Sequence, residues 1–450
     1  MIHDVLIRDG LIAASEGLKA ADVGIRDEVI AAIGEDLPGK AVREIQAAGC
    51  WILPGGYDSH VHFNDPGRPG WETSWHGSRA LAAGGFTMYS DMPLNSIPLT
   101  LDGASFDAKL EATRGRAFVD YSFWGGLTPD NLDKLEELAE RGVVGFKAFL
   151  CNSGIDEFRP VDQETLYRGL RIAAQHDLPV FLHAEDEALI NERIHTLGSS
   201  GGYREFLATR PEEAETRAVE AVIETLRSAG GRVHIAHVSS PEVVRLVARA
   251  KHEGLNITLE TVPQYLAFDQ SIFSSVGGFA KSCPPIRSRE SQEELWKLLL
   301  QGDIDSVSSD HSPSDASLKQ RDNFFEIWGG VSGCQSTLNT LISEGVHQRR
   351  LSVEALCRLI AGNPRKLLRM PGPAFIEIGS QADLTILDPE VTFTLREDDL
   401  YYKNQFSLFT GMRFKGQVQT TLNRGHVVYD REVFSEVPEG RFIRPTKNDV

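Results

Sequence analysis

Eight short apolar runs, separated by stretches with helical spacing, constrain the fold of this chain more than any other feature. They cover 51–57, 86–91, 118–124, 143–149, 179–183, 232–237, 256–260 and 304–309. A brief apolar run bounded by turn formers reads as a buried strand. Between the runs, 132–139 and 212–226 place apolar residues three and four apart, the period of an α-helix. Ser239-Ser240 ahead of Pro241-Glu242 supplies an N-cap and first turn for another helix. Strands that alternate with helices build a parallel sheet. Eight such units predict an α/β fold with a closed, TIM-like (β/α)₈ barrel. An open doubly wound sheet is the alternative, but no Gly-x-Gly-x-x-Gly follows the first run.

Both ends of the chain have a different texture. Residues 4–12 read as two apolar segments about an Asp9-Gly10 turn, 21–25 and 382–388 alternate, and 419–429 reads as strand, turn, strand. Neither end is long enough to bury a core alone, and chain termini often lie close together. The expectation is one small β-sandwich domain from 1–53 and 375–450, with the barrel over 54–374.

Charge and cysteine usage narrow the partners. A formal net charge of -18 over 450 residues argues against binding a phosphate backbone. No apolar run approaches the length of a membrane span. The five cysteines are scattered and form no Cys-x-x-Cys pair, as in a reduced, cytoplasmic chain. Met1-Ile2-His3-Asp4 lacks a basic leader segment, so no secretory signal is expected. These observations set nucleic acid and membrane aside as expected partners, and an acidic surface says little about the substrate.

The chemistry gathers at the ends of the runs. His60-Val61-His62 closes the first; residues i and i+2 of a strand share a face, so both imidazoles leave on one side. Alone, that pair is as readily two polar strand-end residues as half a metal site. Lys147 falls late in the fourth run, His183 ends the fifth, His237 the sixth, and Asp310 follows the eighth. Barrel active sites form at the C-terminal ends of strands. Four imidazoles and a carboxylate suit Zn²⁺ or a similar divalent ion. Two cations side by side need an anion between them. A desolvated lysine has a lowered pKa, and its free amine can take up CO₂ as a carbamate with one oxygen for each metal. The plainer reading of Lys147 is a lysine that snorkels to the barrel mouth.

Five blocks carry a resemblance: residues 54–62, 145–147, the strand ending at His183, residues 237–240 and residues 309–313. They resemble the cyclic amidohydrolases, which comprise allantoinases, hydantoinases or dihydropyrimidinases, and dihydroorotases. The resemblance spans nearly the whole chain. It implies that His60 and His62 hold the more buried of two metals, that His183 and His237 hold the other, and that carbamylated Lys147 bridges them. It further implies that Asp310 ligates the buried metal and acts as general base and acid for a metal-bridging hydroxide. A homo-oligomer, often a tetramer, is also implied.

Within the group, Asn64 stands where dihydroorotases carry a carboxylate-binding Arg, and Asn152 where dihydropyrimidinases carry a Tyr. Residues 63–68, 91–95, 150–158 and 328–333 instead resemble allantoinase loops, which implies hydrolysis of allantoin to allantoate in purine or ureide catabolism. Ring opening of hydantoin or a dihydropyrimidine is the alternative, and a non-catalytic assembly relative the remote one. Asn95, Asn152 and Ser153 are candidates to bind a ureido arm or are ordinary turn residues. The resemblance suggests ring binding at Cys283. Gln264 and Cys283 both depart from the usual allantoinase residues. His234 and His311 are expected to face away from the site by strand alternation, with His311 alternatively supporting a ligand from behind. Glu185 is expected either to orient His183 or to be a solvated loop carboxylate. Trp71, Trp75 and Trp328 either line the mouth or pack.

Overall fold

The computed structural model describes residues 2–446. Its centre is a ring of parallel strands: Gly56–Val61, Phe86–Asp91, Asp120–Phe123, Phe146–Phe149, Val180–His183, Val233–Ile235, Ile257–Thr261 and Ser306–Val307. The third strand is broken at Trp124 and resumes as Gly125–Gly126. Its first half pairs with the second strand and its continuation with the fourth. The eighth strand meets the first through a parallel bridge between Val61 and His311 and a His62 N–H bond to the His311 carbonyl of 2.8 Å. The ring is therefore closed. Every residue of the first two strands is buried, as expected where helices cover the outside and side chains fill the inside.

The observed strands are shorter than the apolar runs, and one run divides. Trp51–Pro54 leaves the barrel and joins the sheet built from the chain ends, pairing with Ile2–Ala14 and with Leu384–Thr394. Only Gly56–Val61 enters the ring. The division falls at Gly55, where an added Cβ would lie 2.3 Å from the Thr87 side chain. That close approach lets the chain pass from one sheet to the other.

Among the described residues the end sheet has nine strands. Its buried side chains come from both termini: Val5, Ile7, Val23 and Ile52 pack with Leu384, Ile386 and Leu422. Asp9-Gly10 is not the expected turn. Ile2–Ala14 runs through it as one strand, with a bulge between Ile7 and Gly10. Asp9 sits at φ 57°, and its N–H bonds the Asp22 carboxylate, which also holds Arg8 at 2.8 Å. A side-chain anchor thus replaces a rung of the ladder. Arg424 and Gly425, both at positive φ, do form the two-residue turn between Arg413–Asn423 and His426–Asp430. Ser240 precedes the helix Pro241–His252 as expected, yet its hydroxyl donates to Glu212 instead of capping the helix.

Candidate active site

A cavity of about 410 Å³ opens at the C-terminal ends of the barrel strands, and His60, His62, Lys147, His183, His237 and Asp310 all line it. Nε2 of His60 lies 3.2 Å from Asp310 Oδ1, and Nε2 of His62 lies 3.5 Å from the same oxygen. The His183 and His237 rings are 4.6 Å apart edge to face, and the His60 and His237 rings 5.5 Å. His237 and Asp310 take positive φ, 33° and 45°. Such backbone is costly for residues with a Cβ and is held at functional sites by its surroundings. Here it turns both side chains off their strands toward the shared centre.

Burial lowers the pKa of His60 and His183, and that of His237 falls well below its ordinary value. Burial thus favours the neutral form of these rings, the form that ligates metals. Burial alone would raise the Asp310 carboxyl; the surrounding histidines, His60 foremost, override it and hold Asp310 below the usual carboxylate range. Lys147 is buried with its Nζ between the Phe181 and Phe149 rings, 4.7 and 4.9 Å from their centres. No hydrogen-bond partner reaches that nitrogen among the described residues, and burial lowers its pKa to about 8. His237 Nδ1 is likewise buried without a partner. Orphaned nitrogens beside a carboxylate and neutral imidazoles fit a site for divalent cations better than a finished hydrogen-bond network.

Other groups orient this cluster. Glu260, at the end of the seventh strand, accepts from His60 Nδ1 at 2.6 Å and so leaves Nε2 for the centre. Its partnership with His60 is not legible in the sequence, although a carboxylate closing an apolar run was the available signal. Asp58, two residues before His60, accepts the backbone N–H groups of Ser309 and His60, and burial pushes its carboxyl up to about 7. It ties the first strand to the eighth. Glu185 is fully buried, not solvated, and its Oε2 lies 2.7 Å from His183 Nε2.

His234 does not face away. It is fully buried, with Nδ1 2.8 Å from the Thr258 hydroxyl and Nε2 3.5 Å from Glu260. The strand stops at Ile235 and His237 adopts a left-handed conformation, so alternation fails between the two histidines. His311 does turn away, toward Glu72 at 3.3 Å. Among the candidate substrate contacts, all on the cavity wall, Asn95 is buried with its amide 3.5 Å from His62 Nδ1. Asn152 accepts the Gly154 N–H, and the Ser153 hydroxyl donates to the Phe158 carbonyl; both shape their own loop. Cys283 is half-buried at the wall. Trp328 lines the cavity and meets Trp71 edge to face at 5.1 Å, whereas Trp75 packs on Phe118. Gln264 is buried, with both amide atoms lacking partners among the described residues.

The far wall is a segment held by two buried lysines. Lys281 Nζ donates to the carbonyls of Phe324, Phe325 and Ile327, and Lys319 Nζ to those of Trp328 and Gly330. Burial lowers Lys281 to about 8 and Lys319 to about 7. Between about pH 8 and pH 10 the unfolded chain therefore binds more protons than the folded one, and these groups make stability rise with pH. Lys281→Met leaves three carbonyls without their donor. It should cost roughly 2–3 kcal/mol, remove part of that pH slope, and raise KM roughly tenfold with kcat little changed. Chemical denaturation at several pH values, together with steady-state kinetics, checks all three.

Sequence and structure comparisons agree with this geometry. Residues 51–428 match the Amidohydrolase family. The chain is 43% identical to an allantoinase of Rubrobacter xylanophilus over 99% of its own length and 98% of that protein's. It is 41% identical to an allantoinase of Desulfitobacterium hafniense, over 98% and 99% of the two chains. Among solved structures, an L-hydantoinase (dihydropyrimidinase) from Arthrobacter aurescens superposes with a TM-score of 0.94 at 29% identity, covering 98% of this chain and all of that one. A D-hydantoinase from a Bacillus species gives 0.88 at 30% identity, covering 99% and 100%. With a closed barrel, a rim of histidines, lysine and aspartate, and full-length relatives of this kind, the chain belongs to the amidohydrolase family.

Proposed function

We propose that this protein hydrolyses the cyclic amide of allantoin to give allantoate. The observation that carries the reading is full-length likeness to allantoinases at 41–43% identity, against 29–30% for the hydantoinases it superposes on. In this reading His60, His62 and Asp310 hold one divalent cation, and His183 and His237 hold the other. The free amine of Lys147 would add to CO₂ with release of a proton, and the carbamate would supply anionic oxygen ligands to the centre. Two such cations, when bound, make water a nucleophile at neutral pH and polarise a carbonyl. Asp310 takes the proton of the attacking water and delivers it to the departing ring nitrogen, which restores the ionised carboxylate. Glu260 and Glu185 fix the tautomers of His60 and His183. In this reading the Asn95 amide bonds the ureido arm, and Trp71 and Trp328 screen the mouth from bulk water. Zn²⁺ is the metal that the donor set favours. A homotetramer is carried by the family resemblance, and a reducing cytoplasm by the five unpaired cysteines.

A substrate panel of allantoin, hydantoin, dihydrouracil and dihydroorotate, run with elemental analysis, tests the reading. Turnover of allantoin with about two metals per chain supports it. Turnover of hydantoin without allantoin would move the protein to the hydantoinase branch, and a stable, metal-free chain with no turnover would make it an assembly relative.

A further inference from the structure

We propose that Arg210 is a positioning residue for the cation held by His183 and His237, and that it makes this half of the centre separately adjustable from the other. The inference rests on the two-metal reading above. Glu185 is wedged between Arg210 and His183, and one oxygen serves both: Oε2 accepts from Arg210 Nη1 at 2.6 Å and from His183 Nε2 at 2.7 Å. Its other oxygen is buried without a partner among the described residues. Arg210 is thus the group that fixes where this carboxylate sits. With Nε2–H directed at Glu185, the lone pair of His183 Nδ1 is left for a cation.

Arg210 is itself held by a second buried pair. Its backbone carbonyl accepts from Arg287 Nη1, and Arg287 Nη2 donates to Glu215 at 2.7 Å. Glu215 also accepts the hydroxyl and the backbone N–H of Ser239, two residues beyond His237. One arginine–glutamate lattice therefore braces both histidines of the same half. The other half is built differently. Glu260 contacts His60, Ser59 and His234, and no arginine pairs with it among the described residues. Loss of Arg210 should release Glu185, and with it His183, while His60, His62 and Asp310 keep their arrangement.

The test is metal retention by the intact protein during dialysis against graded chelator, read by elemental analysis. The wild-type chain should hold two metals. Arg210→Met should give up one of them at roughly 10–100-fold lower chelator strength, the usual worth of a group that orients a ligand, and keep the other. Glu185→Gln retains the shape of the side chain and should reproduce the selective loss, which guards against a folding defect in Arg210→Met. In the double variant Arg210→Met/Glu260→Gln both metals should weaken, because the two carboxylates serve different halves. If folded Arg210→Met keeps both metals as tightly as wild type, or loses both together, the positioning role is overturned. If the wild-type protein itself holds fewer than two metals, the two-metal reading fails and takes this inference with it, so the two failures are distinguishable.

Discussion

Asp310→Asn is expected to lower kcat by roughly 10²–10⁴, the usual worth of a positioned acid–base group. The amide can keep an oxygen toward His60 and His62, which lie 3.2 and 3.5 Å from Oδ1 in the parent. It cannot accept the proton of the attacking water, nor return one to the ring nitrogen. In the parent, the neighbouring histidines hold the carboxyl ionised against the burial that would raise it, so it is ready as a base throughout the neutral range. The measurement is kcat after reconstitution to the metal content of the parent. Near-parental turnover at full metal loading would remove Asp310 from the proton path.

Lys147→Ala should nearly abolish turnover and weaken metal binding by at least roughly 100-fold, because the two cations of the proposed reading then lose the carbamate between them, and Asp310 stands on the His60 and His62 side only. A short carboxylic acid such as acetate should restore part of the activity. It brings two oxygens on one carbon, as the carbamate does, and the truncated side chain leaves room between the Phe149 and Phe181 rings. The metal-free proteins should behave in the opposite sense. An ammonium buried without a partner is costly, so metal-free Lys147→Met should unfold at a higher temperature than the metal-free parent. Loss of stability in that variant, with no rescue by acetate, would mark Lys147 as an ordinary structural residue.

Much of the rim was legible in the chain because parallel barrel strands are buried on both faces. Their interiors must be apolar, so a His, Lys or Asp at the end of such a run stands out. Residues that orient others were harder to see. Glu260 closes its run as plainly as His183 does, but nothing nearby in sequence announces that it serves His60 across the ring. Arg210 lies in an unremarkable Thr-Arg-Pro segment, and its partner Glu185 belongs to another element. Strand alternation puts His234 on the wrong face because it assumes an extended backbone, and the strand gives way to a left-handed residue at His237. The passage of Trp51–Pro54 into the end sheet depends on Gly55 pressing against Thr87, a contact that only the folded chain creates.

That short strand has a consequence for how the protein is made. Leu53 pairs with Thr385, about three quarters of the chain length away, and it stands only a few residues ahead of His60. During synthesis the histidine pair emerges early, yet the strand that anchors its lead-in is among the last to leave the ribosome. Contacts so distant in sequence form slowly. The nascent chain therefore carries the His60-Val61-His62 pair for most of its synthesis without the frame that aims it. Metal capture should accordingly follow release of the finished chain.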